Sequence, residues 1–267
     1  MKRLLKYVFI LPAAILPACE KVVDPVLDRA EPRIVIEAGL SDQAEPQVVR
    51  VSKSVPFGDS TGFNPVSGAV VELRTPAGTR IRYSQVAPGI YRSARFRGVP
   101  GSTYTLQVTA ESQTYSASST MPQPVKLDSL TFTRLTLFGS SNTYPVANYT
   151  DPGDRENQYR YILRVNSVAE LDAVSEDRFN NGNRVADVIF YELEGLETND
   201  RIDLELQCID RNVFKYFFAL QQIRGEGGPP VAPANPVSNF SNGALGIFSA
   251  HTSSKYGVFV KLRDPSP

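Results

Sequence analysis

The chain has 267 residues, with 28 basic and 28 acidic side chains, two cysteines and one histidine. That balance gives no electrostatic footprint for nucleic acid, and a lone histidine with two cysteines leaves little material for an ordinary zinc site. Frequent Gly and Pro, many Tyr and Phe and no Trp suit a protein of many strands and turns, with length enough for two medium domains.

Lys2, Arg3 and Lys6 form a positive start, followed by an apolar run from Tyr7 to Leu16 that Pro12 interrupts. The run is shorter than the roughly 18 apolar residues a membrane-spanning helix needs, and its layout is that of a secretory signal peptide over residues 1–18. Leu16-Pro17-Ala18-Cys19 resembles a bacterial lipobox, although Pro17 departs from the usual small or hydroxylated residue. The resemblance implies a diacylglycerol thioether on Cys19, cleavage before it and acylation of the new amine, with chains such as palmitate. One acyl chain binds a membrane marginally and several bind it stably. An ordinary signal peptide with an incidental cysteine is the plainer alternative. Without the three basic residues of the leader, acidic side chains outnumber basic ones by three.

Residues 19–31 read as a lipid-anchored tether, and strands then recur about every ten residues, the all-β rhythm. "RIVIEAGL", "QVVRVSKS", "AVVELRTP", "TRIRYSQ", "GIYRSA", "TYTLQVTA" and "TYSASSTM" follow one another between Gly, Pro, Asp and Asn clusters. In the sixth, Tyr104, Leu106 and Val108 share one face and Thr103, Thr105, Gln107 and Thr109 the other, a half-buried antiparallel strand. Seven such strands predict an immunoglobulin-like β-sandwich over 32–123. Gly78 in "TPAGTR" suits a tight hairpin turn. Tyr104, just after Pro100 and Gly101, resembles a corner tyrosine of sandwich domains, with plain core packing as the alternative.

The prolines of "TMPQPVKLDS" mark a boundary near 124, after which a second β-rich domain over 124–267 is expected. "LDSLTFTRLTLF", "QYRYILRVNS", "ADVIFYELEG" and "RIDLELQCID" read as strands, and "VAELDAVSEDRFNNGN" as a short helix and a loop. Ile202, Leu204, Leu206 and Cys208 share one parity, so Cys208 reads as a small buried hydrophobe rather than a reactive thiol. One helix is predicted near 211–225, with Asp210 as N-cap, an aromatic stripe of Phe214, Phe217 and Phe218, and Gly225 as the stop. "ALGIFSAHTSSKYGVFVKL" reads as one or two final strands.

The stretch "PPVAPANPVSNFSNGALGIFSAHTSSK", with "CEKVVD", "PVSGAVVEL" and "GVPGSTYTLQV", resembles a domain-of-unknown-function family of Bacteroidota envelope lipoproteins. Genes of that family often lie beside those of TonB-dependent outer-membrane receptors. The resemblance covers nearly the whole mature chain and is most specific at Asn235–Ala250. It implies a non-enzymatic lipoprotein of the outer membrane, with no cofactor and a TonB-dependent receptor as partner. Which membrane face it occupies stays open, because only Glu20 follows Cys19 where surface-exported lipoproteins carry an acidic run.

Within that block Asn235, Asn239, Phe240 and Asn242 are candidate binding residues, Phe240 serving either as an interface anchor or as a pin to the core. Asp151, Asp154 and Glu156 of "DPGDREN" offer hard oxygens to calcium, but the EF-hand spacing is absent and a solvated turn is the simpler reading. His251 is a poor triad base, because its neighbours Thr252 and Ser253 alternate across a strand. Two function classes remain: an accessory binding lipoprotein for TonB-dependent uptake, and a carboxylate-based hydrolase of glycans resting on the acidic loops, Glu170, Asp172, Glu176 and Asp177 among them.

Overall fold

The computed structural model describes residues 31–56, 62–137, 139–223 and 235–260; Cys19, the leader and all but the last residue of the tether lie outside them. Alternating apolar residues and turn-forming glycines produce eight strands in the first half. They are β1 (Ile34–Ser41), β2 (Glu45–Lys53), the two-residue β3 (Asn64–Pro65), β4 (Val70–Arg74), β5 (Arg80–Ala87), β6 (Ile90–Phe96), β7 (Thr103–Ala110) and β8 (Gln113–Thr120). β1, β2 and β6 make one layer, and β4, β7 and β8 the other. β5 passes between them, pairing β4 through Arg80–Tyr83 and β6 through Ser84–Ala87.

Each layer turns one parity inward. Ile36, Leu40, Val49, Val51 and Tyr91 meet Val71, Leu73, Leu106, Val108 and Tyr115 in a first hydrophobic cluster. A fully buried side chain of this kind contributes about 1.5–3 kcal/mol, so the chain needs no disulfide to hold this sandwich. Gly78 takes φ +80° in the β4–β5 turn, where its N–H donates to Thr75 O at 2.9 Å. Tyr104 is both packed and bonded: it is buried, and its hydroxyl accepts from Val99 N at 2.8 Å, tying the preceding loop to β7.

The second half adds β9 (Leu127–Leu137), β10 (Ser140–Thr150), β11 (Gln158–Val165), β12 (Val168–Glu176), β13 (Arg184–Val188) and β14 (Arg201–Ile209), then helix α1 (Arg211–Ile223) and β15 (Leu245–Phe259). β13, β10 and β9 form a three-stranded sheet; β12, β11, β14 and β15 extend the large sheet beyond β1. Two expectations are corrected and one strand is added. The acidic stretch 168–176 is a strand and not a helix, because Asn166 and Ser167 both take positive φ and fold it back on β11 as a tight hairpin. The polar stretch 140–150, unassigned by periodicity, is β10, held by an eleven-residue pairing partner in β9. Beyond Val188 the chain leaves regular pairing: Ile189 and Leu193 still donate to Pro145 O and Thr143 O of β10, but Tyr191 N turns back to Ile189 O.

Tyr149, Tyr159, Tyr161, Leu163, Leu204, Leu206 and Cys208 centre a second hydrophobic cluster. Met121 belongs to the first cluster and Val125 to the second, so both ends of the proline stretch are buried. The chain then returns: Phe240, Ala244, Phe248 and Ala250 complete the first cluster. The described residues from Pro32 onward accordingly form one compact unit.

β15 causes this union. Its first half pairs parallel with β1, from Val35↔Leu245 to Ser41↔His251. Its second half pairs antiparallel with β14, from Cys208↔Thr252 to Arg201↔Phe259. One strand thus spans both clusters and exchanges partners at His251–Thr252.

Candidate functional site

The apolar parity of β11, β14 and β15 enters the second cluster, so the other parity must face outward. It is unusually polar for a partly covered sheet face. Arg160 of β11, Gln207 of β14 and Ser253 of β15 lie in register, and Asp172 of β12 and Glu205 of β14 stand one row along, both opposite Ile162. Arg160 grips Asp172 with two hydrogen bonds, Nε to Oδ1 at 2.6 Å and Nη2 to Oδ2, the bidentate geometry that makes such pairs strong. Its Nη1 donates to Gln207 Oε1 at 3.3 Å, and its guanidinium lies 3.8 Å from the ring centre of Phe217 on α1.

Gln207 passes the chain on, donating from Nε2 to Glu205 Oε1 at 2.9 Å. Glu205 also accepts from Ser253 Oγ at 2.8 Å and Arg164 Nη1 at 3.2 Å, with Lys255 Nζ at 3.8 Å. Burial alone would raise its carboxyl, but Gln207, Ser253 and Lys255 outweigh that and hold it below the ordinary range. The buried charge is therefore compensated on every side.

Helix α1 crosses one end of this face. Asp210 caps it as expected, its Oδ1 accepting from Asn212 N at 2.9 Å and Val213 N at 3.0 Å. Val213 packs on Ile209 and Ile247 in a small third cluster, with Phe214, Tyr216 and Phe217 alongside. Between α1 and the strands β1 and β2 runs a cleft of about 500 Å³. Tyr216, Phe217 and Leu220 form its helical wall, Arg160 and Asp172 one end, Glu37, Glu45 and Arg50 the opposite wall. Gly39, Ser41, Ser249 and His251 line it where β1 and β15 run in register, Gly39 beside Ser249 and Ser41 beside His251.

The floor owes its depth to Gly39, which has no side chain in the middle of an eight-residue strand. A Cβ there would meet only His251 Cε1, at 3.6 Å, an ordinary contact. His251 is buried, and its Nδ1 lies 3.3 Å from both the hydroxyl and the carbonyl oxygen of Ser249. Burial, which outweighs the attraction of Glu205, lowers its imidazole to about 4 and keeps the ring neutral.

The sequence-derived candidates fall elsewhere. Phe240 is buried in the first cluster. Asn239 Nδ2 donates to Phe248 O at 2.8 Å and its Oδ1 accepts from Phe248 N at 3.0 Å, standing in for a missing strand. Asn242 Nδ2 donates to Thr114 O at 2.7 Å, and Ser241 exchanges bonds with Ser116, so the block 238–244 covers the outer edge of β8. Asn235 is exposed, with no hydrogen bond among the described residues.

The calcium candidates do not converge. Asp151 is buried and accepts from the Tyr159 hydroxyl and from Gly182 N at 3.2 Å, while Asp154 pairs with Arg155 at 3.4 Å and Glu156 with Arg211 at 3.4 Å. Among the described residues no group of three potential ligands gathers in one place. Of the other acidic candidates, Glu170 accepts from the Tyr191 hydroxyl, Glu176 pairs with Arg178 and Asp177 accepts from Asn157 N; only Asp172 reaches the cleft. Cys208 is free and buried, and burial raises its thiol.

The model of a family described as a domain of unknown function, DUF4249, matches residues 20–256. The chain belongs to that family. In this DUF4249 protein the matched span takes in both clusters, helix α1 and the cleft. No curated protein matches the chain. Among solved structures, a two-domain fibronectin type-III segment of chicken tenascin aligns at 14% identity over 67% of this chain and 91% of its own, with a TM-score of 0.23. That overlap is too slight to bear on fold or function.

Proposed function

We propose that this protein is a non-catalytic binding component of the bacterial envelope, held to the outer membrane by acyl chains on Cys19, that captures a small ligand in the cleft beside α1. It does so as an accessory to a TonB-dependent receptor. The anchor rests on the leader and the lipobox-like Leu16–Cys19, and the receptor on the resemblance to Bacteroidota lipoproteins. The observation that carries the ligand site is Gly39. A glycine within a strand weakens it, and such positions often mark a bulge, a bend or the close approach of a ligand or another backbone; here the β1–β15 register runs unbroken through Gly39 and no backbone atom crowds it. A cleft of about 500 Å³ with an aromatic wall and a few fixed polar groups is of small-molecule size.

Binding is favoured over hydrolysis by how the polar groups are occupied. Asp172 is held by Arg160, and Glu45 accepts from Ser41 Oγ at 3.0 Å, which leaves Glu37 as the uncommitted carboxylate of the cleft. The Ser249–His251 contact is long and shared with a carbonyl, and an imidazole lowered to about 4 is a weak base at neutral pH.

Equilibrium dialysis of the full chain against a small-molecule extract of the host cell, read by mass spectrometry, tests the reading. Wild type should retain at least one compound that Gly39→Val does not. Retention of nothing, or equal retention by both, refutes the cleft as a ligand site.

A further inference from the structure

We propose that the ligand of this cleft is a small zwitterion, an α-amino acid or dipeptide. Glu37 takes its ammonium group, Arg50 its carboxylate, and the helical wall its apolar side chain. The proposal rests on the ligand-site reading above and adds the chemistry.

Glu37 and Arg50 are directly opposite across the β1–β2 ladder, where Cβ atoms lie about 5 Å apart. Opposite charges so placed ordinarily form an ion pair. These two make no ion pair or hydrogen bond with each other or with any described residue, and both are exposed and line the cleft. The cleft's other charges are committed. Arg160 has its charge paired with Asp172, with Gln207 and the Phe217 ring alongside, and Glu45 is bonded to Ser41. Among the described residues the cleft therefore offers one free anion and one free cation side by side, close enough to engage both charged groups of one small zwitterion.

Desolvating either charge without a partner is costly, so a ligand bearing both is selected over one bearing either. The neutral His251 adds no third charge. Tyr216, Phe217 and Leu220 face the strand wall across the cleft and would receive an apolar side chain, while the bare floor at Gly39 leaves room beneath it. A saccharide would use aromatic and neutral polar groups and draw little from a free Glu–Arg pair.

Isothermal titration calorimetry on the full chain tests this with L-leucine and L-alanyl-L-leucine as probes, and N-acetyl-L-leucine, L-leucinamide and glucose as comparisons. At least one zwitterion should bind, and N-acetylation or amidation should each weaken it by about tenfold or more. Glu37→Gln should weaken the zwitterion to a similar degree yet leave N-acetyl-L-leucine unaffected; Arg50→Gln should do the same for L-leucinamide. Gly39→Val, with its melting temperature checked, should abolish binding. Failure of both zwitterions to bind overturns the proposal. So does equal binding of the blocked derivatives, or tighter binding of glucose that ignores both charge substitutions. If the zwitterions fail while dialysis still finds a compound that Gly39→Val loses, the ligand class is wrong and the cleft reading stands.

Discussion

Two glycines in paired strands should respond oppositely to the same added methyl group. Gly246 of β15 sits opposite Ile36 of β1, at φ +93°, and a Cβ there would lie 2.1 Å from Ile36 O and 2.7 Å from Ile36 C. Both atoms are backbone, so relief requires the β1–β15 seam to separate. A strained positive φ costs about 1–3 kcal/mol, and overpacking a closed site costs about 1–3 kcal/mol more. Gly246→Ala should therefore lose about 4 kcal/mol of a total stability on the order of 5–15 kcal/mol.

At about 2–4 °C per kcal/mol for a chain of this size, the melting temperature should fall by about 8–16 °C. Gly39→Ala is the control, since Gly39 lies three residues further along β1 from Ile36, on the same seam, without a positive φ and with 3.6 Å of clearance. It should be neutral or stabilising by up to about 1 kcal/mol, the usual cost of glycine in a strand. Differential scanning fluorimetry on both variants decides the matter. A Gly246→Ala shift under about 2 °C, or equal losses in the two, would refute the close approach of β1 and β15.

Asn239→Ala should lose about 2–4 kcal/mol in urea unfolding, because it strands both Phe248 N and Phe248 O; a change below 1 kcal/mol would show that water replaces the side chain. Phe240→Ala should lose about 3–5 kcal/mol from the first cluster, with partner recovery per folded molecule unchanged; selective loss of the partner in a stable variant would restore it as an interface anchor. His251 binds its proton near pH 6.5 when unfolded but only near 4 when folded, so stability should be full above pH 6.5 and fall by about 3 kcal/mol as pH drops to 4. His251→Gln should flatten that slope in denaturant titrations, and an unchanged slope would refute it. Glu205, whose carboxyl is held low, should add a further loss at more acidic pH. Cys19→Ser should move the protein from the membrane pellet to the soluble fraction, and a variant still pelleting would refute the lipid anchor.

Strand and helix content was legible where side-chain parity was strict. β7 and β14 read directly from alternation, and α1 from the Asp210 cap and the 3.6-residue spacing of its aromatics. Stretch 168–176 misled because its outward residues are acidic; the decisive signal was the Asn166–Ser167 pair, whose side chains tolerate positive φ. β10 was hidden because Pro145 and a run of Ser and Asn give no pattern without the partner strand β9. The same parity that exposed the apolar face of β11 and β14 also placed Arg160, Glu205 and Gln207 together on the other face, a signal present in the sequence. What no local pattern could supply was the neighbour of β1, since the parallel pairing with β15 joins residues about 210 positions apart.

That distant pairing also gives the block Asn235–Ala250 a structural task. A strand that changes partner midway leaves two half-edges without a ladder, and buried backbone groups must find other partners. On the side facing away from β1, Phe248 is closed by the Asn239 amide and Ala250 N by the Ser119 hydroxyl at 2.9 Å. On the side facing away from β14, Ser253 N is closed by Asp42 Oδ1 at 3.0 Å. Gly243 O, just before the strand, accepts from Arg33 Nε at 3.0 Å. Polar side chains at fixed positions are thus required by the exchange itself, and Gly246 is required by its tight approach to Ile36. The small residues paired across this seam, Gly39 and Ser249, also hollow the outer face beneath α1. The cleft is where it is because the partner exchange is there, so substitutions that loosen the exchange should deform the ligand site even when they touch no lining residue.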